Sequence, residues 1–357
     1  MKSLFDNQIV QEDLKEICNS DFVDFNDLQG KTFLITGATG MLPSYLIFML
    51  IYLNEMRPAY NIQIIAHIRN LEKAEQKFGE YLKRDYFHIL NQSIYDEYTL
   101  DDSVDYIIHG ASLASPQFYG TNPVETLLPN VLGTYRLLEL ARKKNPQGFL
   151  FFSSGEVYGN VENRDNIGEH DFGYLDPMDI RSCYGESKRM GENMCLSWFH
   201  EYGVPAKNAR IFHTYGPTMD IENDQRVFSE FVSNVVHKEN IVLKSDGSPT
   251  RSFCYITDAT TAFFKILMDG VSGESYNVGN PDCMVSMREL AQIMISIKPE
   301  FELELVASVR ANDNNYVENK RPNSITANIA KIRNLGWEPK VTIAEGFLRT
   351  VDSFILE

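Results

Sequence analysis

The feature that most limits how this chain can fold is an apolar run that breaks into a glycine turn near residue 37. The segment "KTFLITGATG" has the pattern of a buried strand ending in Gly37 and Gly40, and the apolar stretch of residues 41–53 is long enough for a helix. Glycines here permit a tight turn, and backbone N–H groups at the helix start can meet a pyrophosphate. The pattern predicts a strand–turn–helix unit with a phosphate cradle, although a glycine turn without a ligand has the same spacing.

The turn departs from the usual pattern at its third glycine position. That position is residue 43, where the chain has Pro43. Proline is tolerated in the first turn of a helix, so the helix can persist. We expect the close packing around this residue to differ from that of a three-glycine turn.

The N-terminal half continues as an alternation of candidate strands and helices. Strand candidates follow at "IQIIAHI", "VDYIIHGAS", "GFLFFSS" and "PAKNARIFHTYG", with helical stretches such as "VETLLPNVLGTYRLLELARKK" between them. This alternation predicts an α/β fold with a Rossmann-like, doubly wound parallel sheet. After about residue 213 the elements become shorter, which indicates a smaller, interleaved C-terminal domain. The first 29 residues, with a helix at "VQEDLKEIC", have no assignable role.

Charge and cysteine content exclude several classes of protein. The net charge of −16 and the pI near 4.9 argue against a nucleic-acid partner or an anionic membrane surface, because phosphate polymers require clustered Lys and Arg. The five cysteines are scattered and form no C-x-x-C pair, so neither a disulfide framework nor a metal site is supported. The apolar run of residues 41–53 is too short to span a bilayer. We expect a cytoplasmic protein with no membrane partner.

The end of the second predicted strand lacks a carboxylate. In dinucleotide-binding folds this strand commonly ends in Asp or Glu, which holds the adenosine ribose, but "IIAHIRN" supplies His67 and Arg69. Arg69 can face a 2′-phosphate, which favours NADP, or stack on adenine with NAD. A solvated surface arginine is the alternative to both.

A tyrosine and a lysine with a spacing suited to proton transfer occur in "YGESK". Tyr184 and Lys188 stand four residues apart at the start of a long helical stretch, so both side chains can lie on one face. A nearby ammonium lowers the pKa of a tyrosine toward that of a useful general base. Tyr316 and Lys320 in "YVENK" match the spacing as well, but they lie in a polar, asparagine-rich stretch and we take them as coincidence. Ser154, at a strand end upstream, can donate to the same substrate hydroxyl.

With these residues in place, the chain resembles the extended short-chain dehydrogenase/reductase family, the NAD-dependent nucleotide-sugar epimerases, dehydratases and decarboxylases. The resemblance covers residues 31 to about 350 and is carried by "TGATGMLPSYL", "HGASLASPQFYGTNP", "SSGEVYG", "CYGESKRMGENMC", "ARIFHTYGP" and "TRSFCYITD". Within the family these motifs are most similar to those of the UDP-glucuronate decarboxylases (UDP-xylose synthases). The resemblance implies an extension at residues 1–29, an NAD-binding domain at 30–212 and about 255–280, and a nucleotide-sugar-binding domain at 213–254 and 281–357.

The same resemblance implies a set of functional residues. The catalytic residues would be Ser154, Glu156, Tyr184 and Lys188. The cofactor, NAD with NADP as the alternative, would contact Gly37, Thr39, Gly40, Met41, Leu42, Arg69, Ala111, Ser112, Asn130, Tyr184 and Lys188. The nucleotide sugar would contact Ser115, Arg181, His213, Arg226, Arg251 and Arg321. Guanidinium groups suit phosphate oxygens, so a local group of arginines can bind a diphosphate despite an acidic surface; solvated side chains are the alternative.

The stretch "SSGEVYG" bears on which reaction of the family is performed. All share a first step in which the tyrosine removes the proton of the C4 hydroxyl as hydride passes to the nicotinamide, leaving a 4-keto sugar. In the family's 4,6-dehydratases the residue at position 155 is an Asp, and in its decarboxylases position 155 is a Ser followed by a Glu at position 156. Simple 4-epimerases have small residues at both positions. Glu156 is interpreted as a polar group beside C5 or C6, and Gly155 as leaving room that the serine would fill. A glutamate bonded within a turn is the alternative.

Decarboxylation of UDP-glucuronate or a close relative is the leading hypothesis. The alternatives are a 4-epimerase or another 4-keto-forming enzyme and, from a different class, a cofactor-sensing protein that has lost the chemistry. His213 stands where the family has Asn near the phosphates, which leaves the donor open. The resemblance also implies a homodimer, with Met194 and Trp198 as candidate contacts or as monomer core, and a place in cell-surface polysaccharide synthesis.

Overall fold

The computed structural model of the protein describes residues 3–101, 103–161, 166–307 and 326–355. Arg321, which the sequence places at the substrate, and the second Tyr–Lys pair at residues 316–320 lie outside the described residues. Across the described part of the chain, no helix combines the length and the apolar character that crossing a membrane requires.

Seven parallel strands form the central sheet. The strands of the described chain are β1 (Thr32–Thr36), β2 (Gln63–Ile68), β3 (Phe87–Asn91), β4 (Tyr106–His109), β5 (Gly148–Ser154), β6 (Asn166–Ile167), β7 (Ala206–Ile211), β8 (His213–Tyr215), β9 (Ile241–Leu243), β10 (Thr250–Tyr255), β11 (Ser275–Val278), β12 (Met284–Ser286), β13 (Leu305–Ala307) and β14 (Thr326–Ala327). The large sheet has the order β3-β2-β1-β4-β5-β7-β11, and each neighbouring pair is parallel. The predicted doubly wound α/β fold is confirmed.

Helices cover both faces of this sheet. The α-helices are α1 (Gln8–Cys18), α2 (Met41–Met56), α3 (Leu71–Phe78), α4 (Gln117–Thr121), α5 (Pro123–Leu128), α6 (Thr134–Lys144), α7 (Cys183–Tyr202), α8 (Val227–Val236), α9 (Ile256–Asp269), α10 (Met287–Ser296), α11 (Ala330–Arg333) and α12 (Ile343–Ile355). Side chains of α2 and α9 pack against Phe33 and Phe152 on one face, whereas α6 and α7 pack against Leu34 and Phe151 on the other. Burial on both faces explains why central strands such as β1 and β5 are rich in apolar residues.

The carboxyl ends of the central strands define where a ligand can bind. β1 pairs with β2 on one side and with β4 on the other, so the strand order reverses at β1. Open parallel sheets bind ligands in the crevice outside the carboxyl ends of the strands at such a reversal. The glycine turn after β1, the loop after β4 and Ser154 at the end of β5 all lie at this edge.

The segment predicted as one strand, "PAKNARIFHTYG", divides into two strands at Phe212. β7 belongs to the large sheet, whereas β8 pairs with β10 in a three-stranded sheet that also contains β12. The backbone N–H of Phe212 donates to the carbonyl of Val278 on β11 at 3.0 Å, so the chain leaves the large sheet immediately after this residue. α9 and β11 return to the large sheet. The proposed domain boundaries stay a prediction.

The N-terminal segment packs against three other helices. α1 contacts α2, α9 and α12, and its buried face includes Val10, Leu14 and Ile17. The carboxylate of Asp13, fully buried on the same helix, accepts hydrogen bonds from Tyr45 and Tyr255 and pairs with Arg349. Contrary to the sequence analysis, which assigned no role to this segment, it joins the two halves of the chain.

Candidate active site

The turn after β1 has the backbone geometry of a phosphate cradle. Gly37 has φ +67°, and a Cβ at this residue would lie 2.8 Å from the backbone of Ala111, so glycine alone fits without displacement. The N–H of Gly40 donates to the Gly37 carbonyl at 2.7 Å, which closes the turn. No side chain caps α2 at Gly40, so the helix presents backbone N–H groups to this edge of the sheet.

The ring of Pro43 makes the close contact of this turn with Gly110, in the loop after β4. A Cβ at Gly110, in the loop after β4, would lie 2.5 Å from Cγ of Pro43. The proline ring therefore packs directly against a glycine of the neighbouring loop. This contact is the difference in packing that the missing third glycine predicted.

At the end of β2, the two residues found in place of the usual carboxylate have different environments: His67 is buried and Arg69 is exposed. His67 is buried, its Nε2 lies 3.0 Å from the carbonyl of Gln92, and burial lowers its pKa to about 4. Its imidazole is therefore a neutral group inside the protein. Arg69 is exposed just beyond the strand, where it stays a predicted cofactor contact.

Ser154 and Tyr184 meet at the end of β5. Tyr184 lies in the first turn of α7 and is buried, and its side chain is hydrogen-bonded to that of Ser154. Burial holds the pKa of Tyr184 well above its ordinary value, and the charge of Glu156 raises it further. The Ser154 hydrogen bond and the charge of Arg226 act in the opposite direction. The tyrosine is therefore protonated in this state, and a nearby positive charge is needed to make it a base.

Lys188 lies on the same face of α7 as Tyr184, as the sequence predicts. Its Nζ lies 5.5 Å from the centre of the Tyr184 ring and donates to the carbonyl of Phe152 at 2.6 Å. Burial lowers the pKa of this ammonium to about 7. The charge of Lys188 at neutral pH therefore depends on the groups that surround it.

Buried oxygen atoms without partners mark where a polar ligand fits. Oγ of Ser112 and Oδ1 of Asn130 are buried and have no hydrogen-bond partner among the described residues. The amide nitrogen of Asn130 donates to Thr126 and to the hydroxyl of Ser187, which fixes the side chain with its oxygen free. Asn130 lies in a π-helical turn between α5 and α6, a geometry common at functional sites. A dinucleotide on the glycine turn fits these atoms.

Two aromatic contacts at the site were missed by sequence reasoning. The ring of Tyr119 stacks on Tyr184 with 4.9 Å between centres and 12° between planes. A Cβ at Gly155 would lie 3.3 to 3.4 Å from the ring of Phe212. A side chain at this position would therefore need the Phe212 ring to shift by a few tenths of an ångström, so the room beside Gly155 is narrower than the sequence analysis expected. Glu156 is half-buried beside them.

Three of the predicted substrate residues come together on the C-terminal side of the cleft. Burial, together with the charges of Arg251 and Arg226, lowers the pKa of His213 to about 3, so the three side chains lie close enough to interact. The guanidinium of Arg226 contacts Asp224, with Nε 2.7 Å from Oδ2, and lies 4.7 Å from the centre of the Phe228 ring. A neutral imidazole near two guanidinium groups provides a group of donors and positive charge for an anionic ligand.

The remaining predicted contacts are not joined to this group by any described bond. Ser115 is half-buried, and its carbonyl accepts the N–H of Phe118 at the start of α4. Arg181 is exposed in the turn before α7, and its N–H donates to the Asp179 carboxylate at 2.9 Å. Thr39, Met41 and Leu42 lie on the glycine turn and in the first turn of α2. These residues stay predicted contacts.

Comparison with known proteins places the site in a family. Residues 33–279 match the sequence profile described as "NAD dependent epimerase/dehydratase family". A UDP-glucuronic acid decarboxylase of Arabidopsis thaliana, number 6 of its series, is 32% identical over 325 residues, which cover 90% of this chain and 88% of the plant enzyme.

Solved structures of nucleotide-sugar epimerases share the fold. UDP-glucose 4-epimerase of Thermotoga maritima, determined with UDP-glucose, superposes with a TM-score of 0.74 at 22% identity, covering 90% of this chain and 98% of the epimerase. UDP-glucuronic acid 4-epimerase of Bacillus cereus, determined with UDP-glucuronic acid and NAD, has a TM-score of 0.72 at 20% identity with the same coverage. The profile match and the plant relative together show that this chain is a member of the NAD-dependent epimerase/dehydratase family.

Proposed function

We propose that this NAD-dependent nucleotide-sugar enzyme decarboxylates UDP-glucuronate through a 4-keto intermediate. The observation that carries the proposal is the buried Tyr184 hydroxyl, bonded to Ser154 and one helical turn from Lys188, beside a glycine turn suited to a dinucleotide. The similarity over most of the chain to a UDP-glucuronic acid decarboxylase supports the choice of reaction.

Each of these side chains has a step in the proposed reaction. Bound NAD would accept the hydride of C4 and later return it, so no external oxidant is consumed. Tyr184 takes the proton of the C4 hydroxyl, Ser154 holds that oxygen by a hydrogen bond, and the Lys188 ammonium stabilises the phenolate. In the resulting 4-keto acid the carboxylate is attached to C5, the carbon next to the C4 ketone. Carbon dioxide can then leave because the ketone accepts the electrons.

The C-terminal side of the cleft supplies the groups that would bind the diphosphate. Arg226 and Arg251 provide charge, and the neutral His213 near them provides a hydrogen-bond donor without adding a third charge. Their position on β8, on β10 and at the start of α8 puts them beyond the end of β7. The sugar would then lie between these residues and Tyr184.

Glu156 is the group that we assign to the sugar beyond C4. Its charge acts on Tyr184, so its carboxylate lies close to the reaction site, and the Phe212 ring packs closely beside Gly155. Glu156→Gln is expected to lower turnover by about 10²-fold while substrate still reduces the bound cofactor, because the change removes a proton-transfer group but not the base. Single-turnover absorbance of reduced cofactor measures the first step. Equal loss of reduction and of product would contradict this role.

The reaction is tested by incubating the protein with UDP-glucuronate and NAD and following the sugar nucleotide by mass spectrometry and proton NMR. Loss of carbon dioxide with a pentose product is expected. An isomer of unchanged mass would instead identify a 4-epimerase, the alternative that the fold neighbours favour. Cofactor reduction without product would leave the 4-keto step in place and overturn the decarboxylation.

The proposal includes a homodimer and a cytoplasmic location. Met194 and Trp198 are half-buried against the monomer core, and the indole N–H of Trp198 donates to Glu139 at 2.9 Å. The outer faces of α6 and α7 nevertheless expose large apolar side chains at Tyr135, Met190, Leu196, Phe199 and Tyr202. We assign this surface to a homodimer, which light scattering would test, in a cytoplasmic enzyme that supplies polysaccharide synthesis.

A further inference from the structure

A buried carboxylate lies one helical turn beyond Lys188. Glu192 follows Lys188 by four residues on α7, so the two side chains share a face of the helix, and both are buried. The hydroxyl of Ser153, the residue before Ser154, donates to Oε1 of Glu192 at 2.5 Å. This contact ties the helix that carries Tyr184 and Lys188 to the strand that carries Ser154.

Glu192 is held in place by an equally buried arginine. Nε of Arg210 on β7 lies 2.9 Å from Oε1 of Glu192, and a terminal nitrogen lies 2.7 Å from Oε2. The same guanidinium donates to the hydroxyl of Tyr158 and to the carbonyl of Glu169. A bidentate pair of this kind fixes the orientation of the carboxylate, so its distance from Lys188 is set by the fold.

Titratable groups on α7 and on β4 face Lys188. On α7 these groups are Tyr184, Glu192 and Cys195, and β4 contributes His109. Burial lowers the pKa of His109 to about 3 and raises the pKa of Cys195 well above its ordinary value, so both are neutral at pH 7. The carboxylate of Glu192 therefore opposes the effect of burial on the Lys188 ammonium.

We propose that Glu192 is a positioning residue that keeps the Lys188 ammonium charged, and that Arg210 and Ser153 hold its carboxylate at the distance this requires. The consequence for turnover rests on the proposed function, because it needs Lys188 to stabilise the Tyr184 phenolate. The effect on the charge of Lys188 does not depend on that function.

The charge of Lys188 can be measured directly in the NAD-loaded enzyme. Lysine labelled with carbon-13 at Cε reports protonation by NMR, and Lys188→Arg identifies the signal. Glu192→Gln is expected to lower the titration midpoint of Lys188 by about one pH unit, because it removes the opposite charge. Arg210→Gln is expected to raise the midpoint, because it leaves the carboxylate uncompensated. The double variant should lie between the two single variants.

Control variants separate this effect from a general loss of structure. Glu192→Asp keeps the charge, so the titration midpoint of Lys188 should stay close to the wild-type value. Glu201→Gln removes an exposed charge at the end of the same helix and should leave this midpoint unchanged. In the kcat/KM profile, the alkaline limb of Glu192→Gln should move to lower pH by the same amount as the midpoint. An unchanged midpoint in folded Glu192→Gln, or shifts of the same sign in both single variants, would overturn the inference. Shifted midpoints in a protein that turns over no sugar nucleotide would leave it standing and refute the proposed function.

Discussion

Tyr184→Phe is expected to lower the rate of cofactor reduction by UDP-glucuronate about 10³-fold. Phenylalanine keeps the ring and its stacking on Tyr119, but it lacks the oxygen that Ser154 contacts. Without that oxygen no side chain at this position can take the proton of the C4 hydroxyl, and general-base catalysis contributes factors of this size. Stopped-flow absorbance of the reduced cofactor measures the step before any loss of carbon dioxide.

A matched tyrosine provides the control for this substitution. Tyr174 is exposed, and Tyr174→Phe removes the same hydroxyl from the same type of ring outside the buried site. Its rate should stay within about twofold of the wild type, in keeping with the small effects of surface substitutions. If Tyr184→Phe retained the wild-type rate of reduction with an unchanged melting temperature, another group would have to be the base.

The parts of the site that the sequence predicted are those governed by local pattern. The glycine turn, the first strand and α2 follow from short-range periodicity and from the conformation that Gly37 must adopt. The shared face of Tyr184 and Lys188 follows from helical spacing alone. The edge strands β3 and β11 were not recognised as strands, and β3 shows why, because three of its five side chains are exposed and two of these, His88 and Asn91, are polar.

The parts that the sequence missed depend on contacts between residues far apart in the chain. Nothing in the neighbourhood of Pro43 indicates that its ring meets Gly110, and nothing beside Gly155 indicates that Phe212 fills the space next to it. The ring of Tyr119 reaches Tyr184 in the same way, across separate elements. Burial and charge at a site arise from such tertiary contacts. The neutral state of His213 therefore could not be predicted from the residue types alone.

The N-terminal segment is the clearest case of a tertiary contact that local pattern conceals. The sequence predicted the helix α1, but it did not indicate that Asp13 lies on the buried face of this helix. In the structure its carboxylate joins Tyr45 on α2, Tyr255 at the end of β10 and Arg349 on α12. Since α2 begins at the phosphate cradle, this contact connects the cofactor side of the molecule to its C-terminal helix.

Asp13→Ala is expected to lower the free energy of unfolding by about 3 kcal/mol, because it removes the buried carboxylate partner of Arg349, which keeps only its contacts with Glu16 and Glu345, and leaves two buried tyrosine hydroxyls without their acceptor. Glu12→Ala removes the same charge from the exposed face of the same helix and should change the free energy by less than about 0.5 kcal/mol. Urea denaturation followed by circular dichroism measures both. Equal effects of the two substitutions would show that α1 is a dispensable appendage and would refute its role in joining the two halves.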